Sequence, residues 1–326
     1  MHGTYVVRWD GSVTTVPRVR DETGLGYLAV LFVVLLWGVG PLFVRAVDAS
    51  ALTIATARNW IAVPIALLIA ALTKSPLTWR WFVAAIPGGL LFAVAQTLGF
   101  ASFHETSLAN AAIISAVSPL LIVIVAVPLF GERLTGRQIT LMAVAFAGVL
   151  AVVLGADSSG DASLTGDLLA VGSLFAMTGY LLTMKHARMT GVPAGAYVAG
   201  VFLVTAIVIT PVDLVWGDSL GAISGIDWLW VAMLAVLAGC LGHTLMTWAQ
   251  RHVNIGIASI MILGTTVVTA AGGWIFFDQA LTPLQIAGGV VVLVGLSGVL
   301  LLQLADPRRP AEVPMLVELA EPPLPE

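Results

Sequence analysis

Long apolar runs alternate with short polar breaks along most of the chain. Ten runs of about 20 residues are separated by breaks containing Gly, Pro, Asp or Ser, where helices end and the chain turns. The runs cover residues 26–46, 52–72, 81–103, 108–130, 137–154, 166–186, 194–216, 226–248, 255–277 and 284–304. Each can cross a hydrocarbon core of about 30 Å. The pattern therefore predicts an all-α integral membrane protein with ten transmembrane helices.

Composition supports a membrane environment and excludes several other classes. Of the 326 residues, 59% are hydrophobic and 10% charged, against about a quarter charged in a typical soluble domain. Membrane β-strands would alternate over about 10 residues, whereas these runs are continuous. The net charge of −4 gives no support for a nucleic-acid partner. A single cysteine, Cys240, excludes an intrachain disulfide and a paired-thiol metal site, and no cofactor or metal is expected.

Basic residues concentrate on one side of the predicted topology. If ten spans alternate in direction, twelve of the 14 Lys and Arg residues share a side. These are Arg8, Arg18, Arg20, Lys74, Arg80, Arg133, Arg137, Lys185, Arg188, Arg251, Arg308 and Arg309. Arg45 lies on the other side, and Arg58 lies inside a span. Because cytoplasmic loops are rich in Lys and Arg, we expect a multi-pass plasma-membrane protein with both termini in the cytoplasm.

The chain contains two similar halves. The segment Glu132-Arg-Leu-Thr-Gly-Arg-Gln-Ile aligns with Gln279-Ala-Leu-Thr-Pro-Leu-Gln-Ile (279 − 132 = 147), and Gly148 matches Gly295 at the same offset. Each half holds five spans, so the second half must enter the membrane from the opposite face. Inverted repeats of this kind recur in secondary transporters, whose binding sites lie near the bilayer midplane. The sequence thus predicts two inverted five-helix repeats around a central cavity.

The repeat divides the chain into five segments. We predict a cytoplasmic N-terminal segment (1–25), a first five-helix repeat (26–154), a connecting loop (155–165), a second five-helix repeat (166–304) and a disordered cytoplasmic tail (305–326). The Pro-rich tail has little apolar surface to bury. The N-terminal segment lacks the apolar core and cleavage site of a removable signal peptide, so the first span is expected to direct insertion.

Several short motifs, taken in order, resemble those of the EamA-type transporters of the drug/metabolite transporter superfamily. They are Leu36-Trp37-Gly38 followed by Pro41, Arg58, Asn110-Ala-Ala with Ser118-Pro119, and Gly131-Glu132-Arg-Leu-Thr. The resemblance covers most of residues 26 to 304. It implies ten helices, two inverted five-helix repeats, a central cavity and movement of small organic solutes, often outward.

The junction between the fourth and fifth spans of each half is a candidate gating region. Glu132 and Arg133 occupy this junction in the first half, where capping or gating contacts are expected. The family commonly repeats the Gly-Glu-x-Leu-Thr element, but the second half has Asp278-Gln279-Ala280-Leu281-Thr282. The acidic position is shifted or lost there, and Asp278 is the candidate substitute.

Arg58 gives the sharpest chemical signal in the chain. A guanidinium at membrane depth is costly and normally faces protein interior or a watery cavity. Its fork of donors matches a carboxylate or phosphate, so Arg58 is a candidate anchor for an anionic group of a solute. The alternative is structural, because Arg58 lies about 9 Å from the start of its predicted span and could bond loop carbonyls.

Two polar residues occupy equivalent positions in the repeats. Gln96 and His243 are separated by the repeat offset (243 − 96 = 147), and both lie within apolar runs. They would line the cavity if the third and eighth spans face it, with His243 also a candidate proton acceptor. Each could instead form an interhelical hydrogen bond worth about 1 kcal/mol.

Weaker candidates complete the predicted substrate site. Trp37, Tyr180, Asn110 and Trp248 lie within spans and could contact a solute. Aromatic residues in spans more often pack or form interfacial belts. Trp37 lies deeper than the tryptophans near the predicted span ends.

The leading functional prediction is a secondary transporter, an exporter or exchanger, that moves small metabolites such as amino acids by alternating access. No Walker-type loop is present, and no Asp or Glu lies well inside a predicted span. Facilitated diffusion, exchange and His243-linked proton coupling all remain open as transport mechanisms. The protein could be a monomer or a homodimer in the lipid bilayer.

The alternatives are an intramembrane lipid-modifying enzyme and a non-transporting sensor or scaffold. An enzyme would need clustered His, Asp or Glu at one membrane face, and a sensor a large soluble module.

Overall fold

The computed structural model describes residues 4–7, 13–16, 23–105, 114–115, 117–131, 134–155, 163–277 and 281–305. A small hairpin comes first. Its strands β1 (Thr4–Val7) and β2 (Val13–Val16) pair antiparallel, with Thr4 opposite Val16. The other described elements are helical. The helical prediction therefore holds for the described residues of the apolar runs, and the hairpin is an addition that the apolar pattern did not indicate.

Six helices are described in the first half of the chain. They are α1 (Thr23–Gly38), α2 (Gly40–Arg45), α3 (Ala51–Leu72), α4 (Trp79–Glu105), α5 (Ser118–Phe130) and α6 (Gly136–Gly155). Val39 separates α1 from α2, and Pro41 lies in the first turn of α2, where the missing amide N–H of proline is tolerated. Ser50 caps α3 by accepting a hydrogen bond from the Thr53 backbone N–H at 3.3 Å.

Seven helices are described in the second half. They are α7 (Leu164–Met189), α8 (Ala194–Trp216), α9 (Asp227–Met233), α10 (Gly242–Ala249), α11 (Ile255–Ile262), α12 (Gly264–Phe277) and α13 (Pro283–Ala305). A π-helical segment, Leu234–Leu241, joins α9 to α10 without a break. A 3₁₀ turn at Leu220–Ala222 follows α8.

Seven helical stretches within the described ranges are long and apolar enough to cross a membrane. They are Thr23–Arg45, Ala51–Leu72, Trp79–Ser102, Leu164–Met189, Ala194–Trp216, Asp227–Ala249 and Ile255–Phe276. Shorter apolar stretches, Gly136–Val152 and Pro283–Val299, lie in α6 and α13. Large apolar side chains such as Leu68, Leu214 and Phe276 are exposed on the outer surface, as expected where lipid replaces water. The chain is a helical, multi-pass membrane protein.

A few helix pairs form most of the packing. The most extensive pairs are α4 with α7, α6 with α13, and α8 with both α3 and α4. Glycines allow the closest approach in the α6–α13 pair. A methyl group on Gly148 would lie 2.7 Å from the Val292 backbone N, and one on Gly295 would lie 3.1 Å from the Ala145 backbone N. These small-residue contacts let two membrane helices pack backbone to backbone.

The Leu-Thr-x-x-Gln-Ile motif, present in both halves, begins a helix each time. The Thr135 backbone N–H donates to Gln138 Oε1 at 2.7 Å, and the Gln138 N–H donates to Thr135 Oγ1 at 3.3 Å. The Thr282 and Gln285 pair makes the same two bonds at 2.9 and 3.2 Å. Each is a reciprocal capping box, which satisfies backbone donors at a helix N-terminus. The motif therefore sets the starts of α6 and α13.

Candidate functional site

Arg58 is buried near the middle of the helical bundle. Seven residues into α3, its side chain is only 6% exposed, and its Cζ lies 5.8 Å from the centroid of the Phe92 ring on α4. Its Nε has no hydrogen-bond partner, and no described carboxylate pairs with it. Burying an unpaired guanidinium costs free energy that other groups must offset. Arg58 thus carries a positive charge in the interior that no described carboxylate balances.

An amide pair lies beside Arg58 and contacts the same face of α4. Asn59 Nδ2 donates to Gln96 Oε1 at 2.9 Å and to the Ala55 carbonyl at 2.7 Å. Both amide side chains are buried, yet Asn59 Oδ1 and Gln96 Nε2 have no partner. Phe92 and Gln96 are four residues apart on α4, so Arg58 and Asn59 reach one helix face. The site therefore combines an unpaired cation with one free acceptor and one free donor.

Aromatic rings surround His243 on the other side of Phe92. Tyr180 Oη and His243 Nδ1 form a 2.8 Å hydrogen bond between α7 and α10. The His243 ring centroid lies 4.8 Å from that of Phe92 and 5.6 Å from that of Phe202. All four side chains are buried. Four helices thereby place a buried aromatic wall next to the guanidinium.

Trp37 links the end of α1 to the π-helical segment. Its Nε1 donates to the Ala238 carbonyl at 3.0 Å, and its ring lies 4.9 Å from that of His243. A methyl group on Gly242 would lie 2.5 Å from Trp37 Nε1, so only glycine admits the indole here. A π-helix leaves backbone groups out of the usual α-helical register and recurs at functional sites. Trp37 satisfies one such carbonyl.

Cys240 lies in the π-helical segment, close to Arg58. Its thiol is buried and donates to the Ala62 carbonyl at 3.4 Å. The neighbouring Gly239 lies so close to Arg58 that a methyl group on it would be 3.8 Å from Arg58 Nη2. The only cysteine of the chain therefore lies next to the buried guanidinium, where it can serve as a native chemical probe.

A hydrogen-bond network, here called the end network, joins the start of α3 to the end of α8. Thr53 Oγ1 donates to Asp213 Oδ1 at 2.8 Å and approaches the Asp218 carbonyl at 2.9 Å. The Ser50 backbone N–H donates to Asp218 Oδ2 at 2.7 Å. Asp213 is buried inside α8. These three hydrogen bonds hold the N-terminal end of α3 against the end of α8, and Thr53 lies five residues before Arg58 in the sequence.

The structure brings together five of the predicted site residues and separates one. Arg58, Gln96, Tyr180 and His243 are buried in one cluster, and the half-buried ring of Trp37 contacts His243 at its edge. Trp248 makes a different ring contact: its centroid lies 4.7 Å from that of His252, with the rings tilted by 37°, in the turn after α10. The predicted residues Asn110, Glu132, Arg133 and Asp278 lie outside the described residues.

Sequence reasoning missed Asn59 and Asp213. Both are polar residues within apolar runs, which is the signal that identified Arg58 and Gln96. Asn59 directly follows Arg58, so it is not an isolated polar residue in its apolar run. Asp213 lies three residues before the end of the apolar run 194–216, and its carboxylate is buried against Thr53.

Two open cavities of about 400 Å³ each lie at the periphery rather than at Arg58. One lies between α3, α4 and α8, and the other between α4, α5 and α7. Neither is lined by a residue of the buried cluster.

Comparisons with known proteins identify a family, a distant relative and a shared fold. The model of the EamA-like transporter family matches residues 24–154 and again 164–301. A pseudopaline exporter, CntI, of Pseudomonas aeruginosa is 23% identical over 212 residues, which cover 63% of this chain and 70% of that protein. A solved crystal structure with 20% sequence identity superposes with a TM-score of 0.71, covering 86% of this chain and 98% of its own. The last comparison shows a shared fold.

Proposed function

Because the chain belongs to the EamA-like transporter family, we propose that this membrane transporter is an exporter or exchanger of small metabolites such as amino acids. It would move them across the cytoplasmic membrane by alternating access. The observation that carries the proposal is the buried Arg58, whose charge has no partner among the described residues. Family membership favours transport over the enzyme and scaffold alternatives. The 23% identical pseudopaline exporter supports outward movement.

The free groups around Arg58 fit an amino-acid zwitterion. A carboxylate would pair with the guanidinium, which otherwise bears the full cost of burial. Gln96 Nε2 offers a second donor to the same carboxylate, and Asn59 Oδ1 offers an acceptor to an ammonium group. These three unsatisfied atoms come from two adjacent helices. Their chemistry supports a solute that carries both signs of charge.

Two inverted five-helix repeats with ten spans are the architecture we propose. The family model matches the chain twice, over ranges close to the predicted repeats. The two capping boxes lie at the repeat offset (282 − 135 = 147). The backbone contacts of α6 with α13 follow the same offset, since Gly148 meets Val292 as Gly295 meets Ala145 (295 − 148 = 292 − 145 = 147). Equivalent residues making reciprocal contacts are what a two-fold relation requires.

Alternating access in this chain would open and close the end network. Its hydrogen bonds between Thr53, Asp213 and Asp218 join α3 of the first proposed repeat to α8 of the second. With both termini cytoplasmic, as the basic residues favour, this end faces outward. The described conformation would then be closed outward, and release of solute would require these bonds to break.

The experiment is solute flux in proteoliposomes. Purified protein should move members of an amino-acid and metabolite panel faster than empty vesicles do. Arg58→Ala should abolish that flux while circular dichroism and gel filtration remain those of the wild type. Arg137→Ala, which removes an exposed cation at the start of α6, is the matched control and should retain flux. Absence of flux from the wild type across the panel would contradict transport, and full flux in Arg58→Ala would contradict the assigned site.

A further inference from the structure

An open groove lies on the outer surface, away from the Arg58 cluster. Its volume is about 400 Å³, and ten residues of α3, α4, α8 and the turn between α3 and α4 line it. Leu67, Trp79, Trp81, Phe82 and Leu203 are among them, and Thr78 is the one hydroxyl side chain. Leu203 lies nine residues into α8, about 14 Å at 1.5 Å per residue. The groove therefore runs from a helix end toward the membrane interior.

Two exposed cations lie near the end of this groove that is formed by the turn between α3 and α4. Arg80 stacks its guanidinium over Trp81, a groove wall, with Cζ 4.8 Å from the ring centroid. Lys74 lies in the short turn that joins α3 to α4. No Asp or Glu occurs between positions 49 and 104 or between positions 168 and 212, which include α3, α8 to its residue 212, and the groove-lining part of α4. The elements that form the groove thus supply positive charge without a carboxylate to balance it.

We propose that this groove binds an acyl chain of an anionic glycerophospholipid, with the lipid phosphate at Lys74 and Arg80. An apolar channel along the helix axes matches the direction of a lipid chain. Trp79 and Trp81 belong at the headgroup level, where amphipathic indole rings concentrate. Cations close to the membrane surface attract anionic headgroups, and arginine pairs with phosphate through two parallel hydrogen bonds.

The second peripheral cavity provides an internal comparison. It has the same volume, and Leu129, Leu182, Thr183 and His186 are among its lining residues. The nearby Lys185 and Arg188 are buried and donate to the backbone carbonyls of Val253 and Val192, so they do not extend toward lipid. We therefore expect anionic selectivity at the first groove and not at the second.

Native mass spectrometry of the full-length protein in detergent tests this proposal. Phosphatidylglycerol and phosphatidylcholine with identical acyl chains would be titrated separately, and the affinity of the first bound lipid compared. The wild type should prefer phosphatidylglycerol. Arg80→Gln and Lys74→Gln should each weaken that lipid about fivefold and leave phosphatidylcholine unchanged. Arg137→Gln, a cation of the same predicted side on α6, should retain the preference.

A groove-filling variant tests the location independently of charge. Leu67→Trp places a larger side chain in the groove at a position already 39% exposed, so folding should be preserved. It should reduce binding of both lipids, whereas Leu129→Trp in the second cavity should leave the phosphatidylglycerol preference intact. Equal affinities in the wild type, or an equal loss in Arg137→Gln, would overturn the proposal. So would unchanged binding in Leu67→Trp.

Discussion

Arg58 places a buried charge at the centre of this protein, and no described carboxylate pairs with it. Neighbouring aromatic rings contribute a weak cation–π contact, with Phe92 at 5.8 Å, which does not replace water around a guanidinium. Asn59 and Gln96 satisfy one hydrogen bond between them and leave one acceptor and one donor free. In the proposed function, a bound solute would supply the partners that these groups lack.

The Tyr180–His243 hydrogen bond should stabilise the aromatic wall of the site. Tyr180→Phe removes the hydroxyl and leaves His243 Nδ1 unpaired, which should lower the free energy of unfolding by about 1 kcal/mol. Thermal unfolding in detergent measures this change. Tyr197→Phe is the control, since the contact of Tyr197 Oη with Thr183 Oγ1 is longer, at 3.3 Å, and should matter less. Equal stability of the wild type and Tyr180→Phe would contradict the role of this bond.

Sequence predicts buried polar residues well where a polar side chain is isolated in an apolar run. Arg58, Gln96 and His243 were identifiable for that reason, and the structure places them close together. Their pairing was not identifiable, because Gln96 bonds Asn59 and His243 bonds Tyr180, partners chosen by helix packing. Trp248 could not be placed in this way, because the sequence position of an aromatic residue in a span does not indicate which helix face it occupies.

Some helix boundaries follow from the local sequence, whereas others depend on tertiary contacts. Apolar runs and turn residues predict the helix 194–216 to the residue and most of the others to within a few residues. The predicted run 108–130 lies partly outside the described residues, and its described helix α5 begins at Ser118. The break at Val39 and the π-helical segment were not predicted. Trp37 binds the carbonyl of Ala238, 201 positions away, and such a contact leaves no trace in local periodicity.

Glycine contacts between α6 and α13 test the repeat at the level of helices. Gly148→Ala and Gly295→Ala should destabilise the protein by similar amounts, about 1–3 kcal/mol each, because the added methyl groups would meet backbone atoms. Thermal unfolding in detergent is the measurement. Gly289→Ala on α13 is the control, since its nearest neighbour would be Val267 Cγ1 at 3.8 Å. A loss in Gly289→Ala as large as in the other two would contradict this packing.

At the scale of the molecule, the two proposed repeats meet at the end network. The bonds of Thr53 with Asp213 and Asp218 connect α3 with α8 outside the Arg58 cluster. Their exchange between closed and open arrangements would convert a buried binding site into one that releases solute. Cys240 lies next to that site and is buried in the described conformation.

Thr53→Val should increase exposure of Cys240 to the outside. The substitution preserves side-chain shape but removes the hydroxyl, and losing about 1 kcal/mol of hydrogen bonding should raise the open fraction about fivefold. The rate of Cys240 labelling by a membrane-impermeant thiol reagent reports that fraction. Thr210→Val, one turn before Asp213 on the face that contacts Trp60, is the control and should label at the wild-type rate. Labelling that is unchanged in Thr53→Val, or raised equally in Thr210→Val, would contradict a gate at this network.

In the proposed function, Arg58 binds the carboxylate of a solute that the protein moves. The most direct measurement compares flux of a transported amino acid with flux of its carboxamide, in proteoliposomes containing wild type or Arg58→Gln. We predict that the wild type prefers the acid at least about tenfold, the value of a charge-assisted hydrogen bond, and that Arg58→Gln moves the two solutes equally. A wild type that transports acid and amide at the same rate, or an Arg58→Gln protein that keeps the full preference, would contradict the claim.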